Sequence, residues 1–265
     1  MKYYDPDKKR LVFISNEANE GFWDDKWQEI AKDTLYRTTP PKYNLFLNTT
    51  QKYLPLGSKI LEGGCGLAEN SWNFYLAGFQ TIALDYTPRT VDFLRSKIPE
   101  VHPMLGDVRK LPFDDNSMDG YWSFGVIEHF YDGYGDIAKE ARRVIKKDGY
   151  LFLTVPTMSF LRRIKAKIGF YDKYADSPEI RESFYQFALD EKTVIQSFEL
   201  EGFALMAIIP FDGVKGLKDE ISWLKRMLQN LYNSSNSIKR IFRKLIDIVF
   251  SPFASHMTLF VLKKL

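Results

Sequence analysis

The stretch from Lys59 to Asn70, KILEGGCGLAEN, constrains the fold of this chain more than any other. Its first apolar residues predict a buried strand, and the three glycines that follow within four positions predict a tight turn. Beyond the turn, apolar residues such as Trp72 and Leu76 favour a helix. A strand, a glycine turn and a helix in this order bring the backbone close to a ligand at the carboxyl end of the strand. The same pattern also fits a tight turn that binds nothing.

The spacing of the glycines argues against dinucleotide binding and an NAD-dependent reductase. A G-x-G-x-x-G motif that begins at Gly64 requires glycine at position 69, where the chain has Glu69. What remains is an acid followed by glycines, in the order Glu62, Gly63, Gly64, Cys65, Gly66. This order resembles the first motif of the class I S-adenosyl-L-methionine (SAM) methyltransferases. In that family a Cβ on the loop would collide with the methionine end of the cofactor, and the acid takes the cofactor's amino group.

Composition and charge exclude several classes of protein. The length of 265 residues and the hydrophobic fraction of 45% predict one α/β domain with additions. A net charge of +3 is too small to indicate a nucleic-acid binder. The single cysteine, Cys65, rules out an internal disulfide, and the three histidines show no metal-ligand spacing, so we expect no metal. We read neither a signal peptide nor a run of 18 apolar residues, and therefore expect a cytoplasmic protein.

Apolar and amphipathic segments alternate after the glycine turn, as an α/β sheet requires. We predict further strands at 81–84, 101–105, 121–124, 150–155, 204–209 and 257–262, and helices at 20–33, 43–53, 90–97 and 137–145. The expected fold is α/β, a Rossmann-like seven-stranded mixed sheet flanked by helices. We expect an N-terminal helical lid or substrate segment at 1–54 and a SAM-binding methyltransferase domain at 55–265.

The resemblance to the methyltransferases covers residues 55–157 densely. Asp85 stands where family members hold the ribose hydroxyls, Asp107 where they hold the adenine amine, and Val108 would offer its amide to a ring nitrogen. Two segments resemble motifs of the small-molecule branch of the family, methyltransferase type 11, which contains the quinone-biosynthesis enzymes. They are DDNSMDGYWSFGVIEHF and EARRVIKKDGYLFLTVP. The cofactor-binding residues implied are Glu62, Gly63, Gly64, Cys65, Gly66, Asp85, Tyr86, Asp107, Val108, Ser123 and Phe124.

Candidates on the acceptor side are fewer, because methyl transfer from a sulfonium depends mainly on alignment in a dry site. If the acceptor is a hydroxyl, His129 is the candidate base; the alternative is that it orients the following loop. Glu128 beside it fits either a helix-start acid or a partner on the cofactor side. Trp23 and Trp27 are candidate substrate residues on one face of the first helix, and the alternative is that they pack this helix on the core.

Two insertions, at about 157–187 and 211–250, do not belong to the minimal fold. The second has eight basic residues against four acidic ones, on two predicted helices separated by NSSNS at 233–237. A helical cap with solvated charges and a peripheral membrane contact through basic helices at 215–250 both fit this pattern.

The resemblance implies an enzyme that transfers a methyl group from SAM to a small-molecule or glycan acceptor by in-line displacement, with S-adenosyl-L-homocysteine as product. We expect O-methylation, because FWDDKW and the basic insertion are loosely similar to methyltransferases of bacterial surface-polysaccharide pathways. Methylation of a quinone, lipid or secondary metabolite at the inner membrane face stays open, as does a non-catalytic SAM-binding partner subunit. The fourth strand lacks a following D/N-P-P-Y/F, which disfavours a nucleobase or protein-amide methyltransferase, and we expect no nucleic-acid partner. The oligomeric state is left open.

Overall fold

The computed structural model describes residues 1–15, 20–32, 36–42, 44–233 and 236–265. The strands are β1 (Lys2–Asp5), β2 (Arg10–Ile14), β3 (Lys59–Gly63), β4 (Gln80–Asp85), β5 (Met104–Leu105), β6 (Met118–Phe124), β7 (Ile145–Pro156), β8 (Asp172–Lys173), β9 (Phe184–Ala188), β10 (Phe203–Phe211) and β11 (Met257–Lys264). The α-helices are α1 (Glu20–Ala31), α2 (Leu45–Tyr53), α3 (Glu69–Leu76), α4 (Pro88–Lys97), α5 (Gly135–Val144), α6 (Phe160–Lys167), α7 (Pro178–Glu182), α8 (Glu191–Leu200), α9 (Gly213–Glu220), α10 (Lys225–Tyr232) and α11 (Ser237–Ala254).

A seven-stranded sheet forms the centre of the fold, in the order β10-β11-β7-β6-β3-β4-β5. The five strands β7, β6, β3, β4 and β5 run parallel to one another. Strand β11 runs antiparallel to both of its neighbours. The chain leaves β3 for β4 on one side and later returns to β6 on the other side. The sheet therefore has its topological switch point at β3, where ligands bind beyond the carboxyl ends of the strands. The predicted mixed sheet of seven strands is confirmed.

Helices cover both faces of this sheet, which explains why its strands are continuous apolar runs. Ile60, Trp122 and Phe152 point to one face and pack with residues of α2 and α3. Leu61 and Leu151 point to the other face and pack with residues of α5 and α8. Successive residues of a strand point to opposite faces, so the two cores are built from alternate positions of the same strands.

A second sheet, in the order β8-β1-β2-β9, joins the first residues of the chain to the first insertion. The N-terminal segment, expected to be a helical lid, has α1 and α2 but also two strands that were not predicted, since β1 and β2 form an antiparallel hairpin. The turn between them is stabilised by Asp5, whose carboxylate accepts from the amides of Asp7 and Lys8 and pairs with Arg10. The signal in the sequence is the Asp-Pro-Asp turn between two short apolar runs, KYY and LVF.

The predicted strand at 101–105 is also wrong in extent. Residues Pro99–Val101 form a 3₁₀ turn, and only Met104–Leu105 pairs with β4. His102 has a left-handed backbone with φ of 47° and is followed by Pro103, which has no N–H to donate to a sheet. Extended pairing therefore begins after the proline.

Four residues assigned from the sequence lie outside the described ranges: Asp33 and Tyr43 at helix ends, and Ser234 and Ser235 in the NSSNS segment. The domain boundary at 54–55 and the extents of the two insertions stay predictions. Within the described ranges, no helix combines the length and the apolar character needed to cross a bilayer.

Candidate functional site

The glycine loop after β3 is fastened to the end of β4. The amides of Gly64 and Cys65 both donate to the Leu84 carbonyl, at 2.8 and 3.0 Å. The amide of Gly66 donates to Oδ2 of Asp85 at 2.8 Å. Gly64 and Gly66 have φ of +72° and +51°, a backbone conformation that favours glycine. The turn predicted from the sequence is therefore present and held in place by the neighbouring strand.

Part of the need for glycine comes from the protein's own side chains. A Cβ on Gly63 would lie 2.3 Å from the Tyr121 hydroxyl, and one on Gly66 would lie 2.6 Å from the Trp27 ring. A Cβ on Gly64 would lie 2.7 Å from a methyl of Val126. The close approach by a cofactor that was expected from the sequence stays a prediction.

Glu62, the acid of the motif, is buried at the base of the loop. Its carboxylate accepts from both the amide and the hydroxyl of Ser71, at the start of α3. Burial raises the pKa of Glu62 to about 7, against the opposing effect of the Ser71 hydrogen bonds. Glu62 is therefore poised to ionise beside a cation.

Asp85 is buried and already accepts three hydrogen bonds. Oδ1 accepts from the amide and the hydroxyl of Thr87, at 3.0 and 2.7 Å, and Oδ2 accepts from Gly66. A carboxylate has about four lone-pair sites. One site on Oδ2 is left, so two simultaneous ribose hydrogen bonds would require the Thr87 hydroxyl to turn away.

Asp107 is held at the surface of the cleft by Arg109. The guanidinium donates to both carboxylate oxygens, and the hydrogen bond lowers the pKa of Asp107. Arg109 also lies over the Phe130 ring, with 5.5 Å from its guanidinium carbon to the ring centroid. Asp107 is thus charged and fixed in orientation before any ligand is present.

One cavity of about 650 Å³ joins these groups to the residues predicted on the acceptor side. Its volume lies in the range of small-molecule sites. The predicted residues that line it are Trp23, Trp27, Glu62, Gly64, Cys65, Asp85, Tyr86, Asp107, Val108, Phe124 and His129. Gly63, Gly66 and Ser123 do not line it: Gly63 packs on Tyr121, Gly66 is covered by Trp27, and Ser123 is buried in β6.

His129 lies in an aromatic group formed by α1 and β9. Its Nδ1 is 2.6 Å from the Tyr185 carbonyl oxygen, and its ring makes edge contacts with Trp23 and Tyr185. A carbonyl oxygen only accepts, so Nδ1 carries the proton and Nε2 keeps its lone pair. Burial lowers the pKa of His129 to about 4, and the ring is therefore neutral at pH 7.

Glu128, next to it, is a buried acid with an unused oxygen. Within the described part of the chain, Oε2 of Glu128 has no hydrogen-bond partner. Burial raises the pKa of Glu128 to about 8. A buried carboxyl oxygen without a partner is costly to keep, and this residue lines the cavity. Glu128 was not among the site residues selected from the sequence.

Several other cavity residues were missed from the sequence: Lys26, Phe130, Tyr185, Gln186, Lys215 and His256. Lys26 was overlooked within FWDDKW, where its ammonium lies 4.4 Å from the Trp23 ring centroid. Tyr185 belongs to β9, whose apolar run FYQFA is a strand signal in the first insertion. Nothing local places Lys215 and His256 at the site, since only the packing of α9 and β11 brings them there.

The comparisons with known proteins agree with this geometry. Residues 61–153 match a family model described as a methyltransferase domain. A probable S-adenosylmethionine-dependent methyltransferase of Mycobacterium tuberculosis is 34% identical over 97 residues, which are 37% of this chain and 35% of that protein. The chain therefore spans about a third of the length of the first curated relatives it matches.

Two further similarities extend over more of the chain. A demethylmenaquinone methyltransferase of Staphylococcus haemolyticus is 28% identical over 182 residues, 61% of this chain and 74% of that protein. The solved structure of 1,6-didemethyltoxoflavin-N1-methyltransferase from Burkholderia thailandensis, with S-adenosylhomocysteine bound, has a TM-score of 0.57 and 12% identity. It covers 99% of this chain and 98% of that one, and shows the fold. The predicted fold class is confirmed. Residues 61–153 match a methyltransferase domain, and the similarity to S-adenosylmethionine-dependent methyltransferases agrees with the family and cofactor expected from the sequence.

Proposed function

We propose that the chain transfers a methyl group from SAM to a hydroxyl of a small-molecule or glycan acceptor by in-line displacement. The observation that carries this proposal is a cavity with two differently built halves. The ends of β3 and β4 line one half with Glu62, Asp85 and the nearby Asp107. Residues of α1, β9 and the turn after β6 line the other half with Trp23, Tyr185 and Glu128.

The first half fits a cationic cofactor. Apart from Glu128 in the other half, four carboxyl groups line the cavity: those of Glu62, Glu69, Asp85 and Asp107. Glu62 would hold the amino-acid part of SAM and Asp85 the ribose. Asp107 and Val108 would hold the adenine. When bound, SAM supplies an electrophilic methyl group on a sulfonium. The protein's contribution is to hold the acceptor in line and to exclude water.

We assign Glu128 as the group that takes the acceptor proton. A hydroxyl that forms a new bond to the methyl carbon must lose its proton, and a base is most effective when its pKa is close to the working pH. Glu128 meets this condition, with a pKa of about 8; it lines the cavity, and its buried Oε2 has no hydrogen-bond partner within the described ranges. His129, with a pKa of about 4, is a weaker base, and its unprotonated Nε2 would accept a hydrogen bond that orients the acceptor.

The dependence of rate on pH separates these two roles. We expect kcat/KM to rise with pH to a plateau above about 8, since this ratio reports the free enzyme. A bound sulfonium lowers the pKa of a nearby carboxyl group. The rise of kcat with pH should therefore occur at lower pH than the rise of kcat/KM. Glu128→Gln should abolish the rise of kcat/KM with pH near 8. His129→Gln should lower the rate but keep this rise. A rise that survives in Glu128→Gln would contradict the assignment.

Two lysines give the acceptor half a positive charge. Lys26 lies among Phe22, Trp23, Trp27 and Tyr185. Burial lowers its pKa, and the charge of Lys215 lowers it further. Two like charges facing one cavity favour an acceptor that carries a carboxylate or a phosphate. Matched acceptors with and without such a group, screened for S-adenosylhomocysteine formation, test this preference.

The proposal is tested first by binding and turnover. We expect calorimetry to show binding of SAM and S-adenosylhomocysteine but not NADH, and an acceptor screen to show formation of S-adenosylhomocysteine. Preference for NADH would overturn the cofactor assignment. SAM binding without turnover on any acceptor in the panel, including quinones and lipids, would favour the non-catalytic partner subunit.

A further inference from the structure

Helix α11 has its apolar side chains on the outside. Ile241, Phe242, Leu245, Ile248 and Val249 are each more than half exposed. They are spaced as neighbours on one face of a helix, three, four and seven residues apart. We call these five side chains the outer stripe. An apolar stripe normally faces the core of a globular protein, and a continuous exposed one marks an interaction site.

Two polar side chains on the inner face of α11 fix the orientation of the helix, beside Ile246 and Ala254, which pack with α9. Asp247 accepts from the Val214 amide at 2.8 Å, and Ser251 accepts from the Gly213 amide at 3.1 Å. These amides are at the start of α9, where backbone N–H groups have no partner within the helix. Rotating α11 to bury the outer stripe would break both of these hydrogen bonds. The hydrogen bonds therefore hold the outer stripe toward the outside.

Close packing reinforces this orientation. Gly216 on α9 lies so near to α11 that a Cβ there would come 1.7 Å from the Ala254 carbonyl oxygen. At this point the helices meet through backbone, and Ile246 packs beside it, whereas the five large apolar side chains of the outer stripe lie on the opposite face. Near the carboxyl end of α11, the exposed ring of Phe253 contacts the exposed ring of Phe160 on α6, with 5.5 Å between the ring centroids.

The charges around the outer stripe are basic. At about 100° per residue, Lys244 falls on one side of the stripe and Lys239 on the other, and both are exposed. The only acid of α11 is Asp247, on the inner face. An apolar stripe between basic side chains matches the boundary between acyl chains and anionic headgroups.

We propose that α11 docks the protein on an anionic lipid bilayer, with the outer stripe inserted and Lys239 and Lys244 among the headgroups. Basic charge disfavours the alternative that two copies of this chain pair through the same face, because like charges would meet. The proposal does not rest on the identity of the acceptor. It does connect the docked helix to the cavity, since α9 packs on α11 and supplies Lys215 to the cavity wall.

Co-sedimentation of the full chain with vesicles tests the proposal. We expect pelleting with vesicles of phosphatidylcholine and phosphatidylglycerol at 3:1, and at least tenfold weaker binding to pure phosphatidylcholine. Salt at 0.5 M should weaken binding strongly, since it screens exposed charges. The double variant Phe242→Glu with Ile248→Glu should bind at least tenfold more weakly.

A matched control replaces two exposed leucines elsewhere. Leu56 and Leu200 are at least as exposed as the stripe on average, and Leu56→Glu with Leu200→Glu should leave vesicle binding unchanged. Unchanged SAM affinity and melting temperature would show that both variants are folded. Absence of pelleting by the wild type, or equal pelleting by the stripe variant, would overturn the proposal. A dimer in sedimentation that the stripe variant abolishes, without lipid binding, would overturn it in favour of a self-interface.

Discussion

At the scale of single residues, the site depends on two buried acids that differ in their partners. Glu62 has two hydrogen bonds from Ser71, whereas Oε2 of Glu128 has none within the described ranges. Burial raises the pKa of both, to about 7 and about 8. The first acid is held in one orientation, and the second keeps one buried oxygen without a partner.

The raised pKa of Glu128 predicts a pH-dependent stability. Above pH 4.5 this residue is ionised in the unfolded chain but stays protonated in the folded protein. The free energy of unfolding therefore decreases as the pH rises, until the pH reaches about 8. Glu128→Gln removes this loss. We expect the variant and the wild type to be equally stable near pH 4.5 and the variant to be a few kcal/mol more stable at pH 8.5, at about 1.4 kcal/mol per pH unit.

Urea unfolding without ligand at several pH values checks this expectation. Glu69→Gln, an exposed change at the same cavity, should show little difference across the range and serves as the control. A stability difference in Glu128→Gln that is constant with pH would mean that the carboxyl group is not buried in solution.

Asp85 is predicted to dominate cofactor affinity. Asp85→Ala removes a hydrogen bond to a charged acceptor, worth about 1.5–3 kcal/mol, and should weaken SAM binding at least tenfold in calorimetry. Thr87→Val removes only a donor to Oδ1 and should leave affinity within about threefold. Equal affinity of Asp85→Ala and the wild type would place the ribose elsewhere.

At the scale of secondary structure, the central sheet was largely predictable from the sequence. The elements around Lys59–Asn70 and Tyr150–Val155 carry continuous apolar runs and clear turn signals, and burial on both faces enforces that pattern. The strands of the small sheet were not predicted, because β2 and β9 are short and each depends on a partner far along the chain. Tyr185, Lys215 and His256 were missed for the same reason, since each reaches the cavity through tertiary packing.

The contact between α9 and α11 yields a prediction about packing. Gly216→Ala would force a Cβ against the Ala254 backbone, which cannot move aside as a side chain could. Overpacking of this kind costs about 1–3 kcal/mol or more, so the melting temperature should fall by several degrees. Gly135→Ala, at the start of α5 with open space around it, should be neutral or slightly stabilising. A neutral Gly216→Ala would indicate looser packing of these helices.

At the scale of the whole molecule, Glu220 connects three distant segments. Its carboxylate pairs with Lys2 of the N-terminal hairpin and with Arg162 and Lys165 of α6, and accepts from the Tyr171 hydroxyl. Burial alone would raise the pKa of Glu220, but the charges of Arg162 and Lys2 and the hydrogen bonds lower it to about 2. The network therefore holds the small sheet and the helical insertions to each other.

Glu220→Gln should be strongly destabilising at neutral pH, by about 3–5 kcal/mol, because it leaves buried cations without a counter-charge. A lowered pKa contributes stability above about 4.5 that is lost as the pH falls toward 2. The difference between variant and wild type in urea unfolding should therefore shrink on acidification. Tyr171→Phe removes one neutral donor and should cost only about 1 kcal/mol. A difference that does not change between pH 7 and pH 3 would contradict this account.

The pairing of β2 with β9 also has a consequence for the order of folding. Leu11 is aligned with Ala188, so during synthesis the hairpin emerges long before its partner strand exists. The strands that carry Glu62 and Asp85 come from one nearby stretch and can assemble first, since contacts close in sequence form fastest. The walls that hold Tyr185, Lys215 and His256 are completed later, and a nascent chain would gain its cofactor half before it could enclose an acceptor.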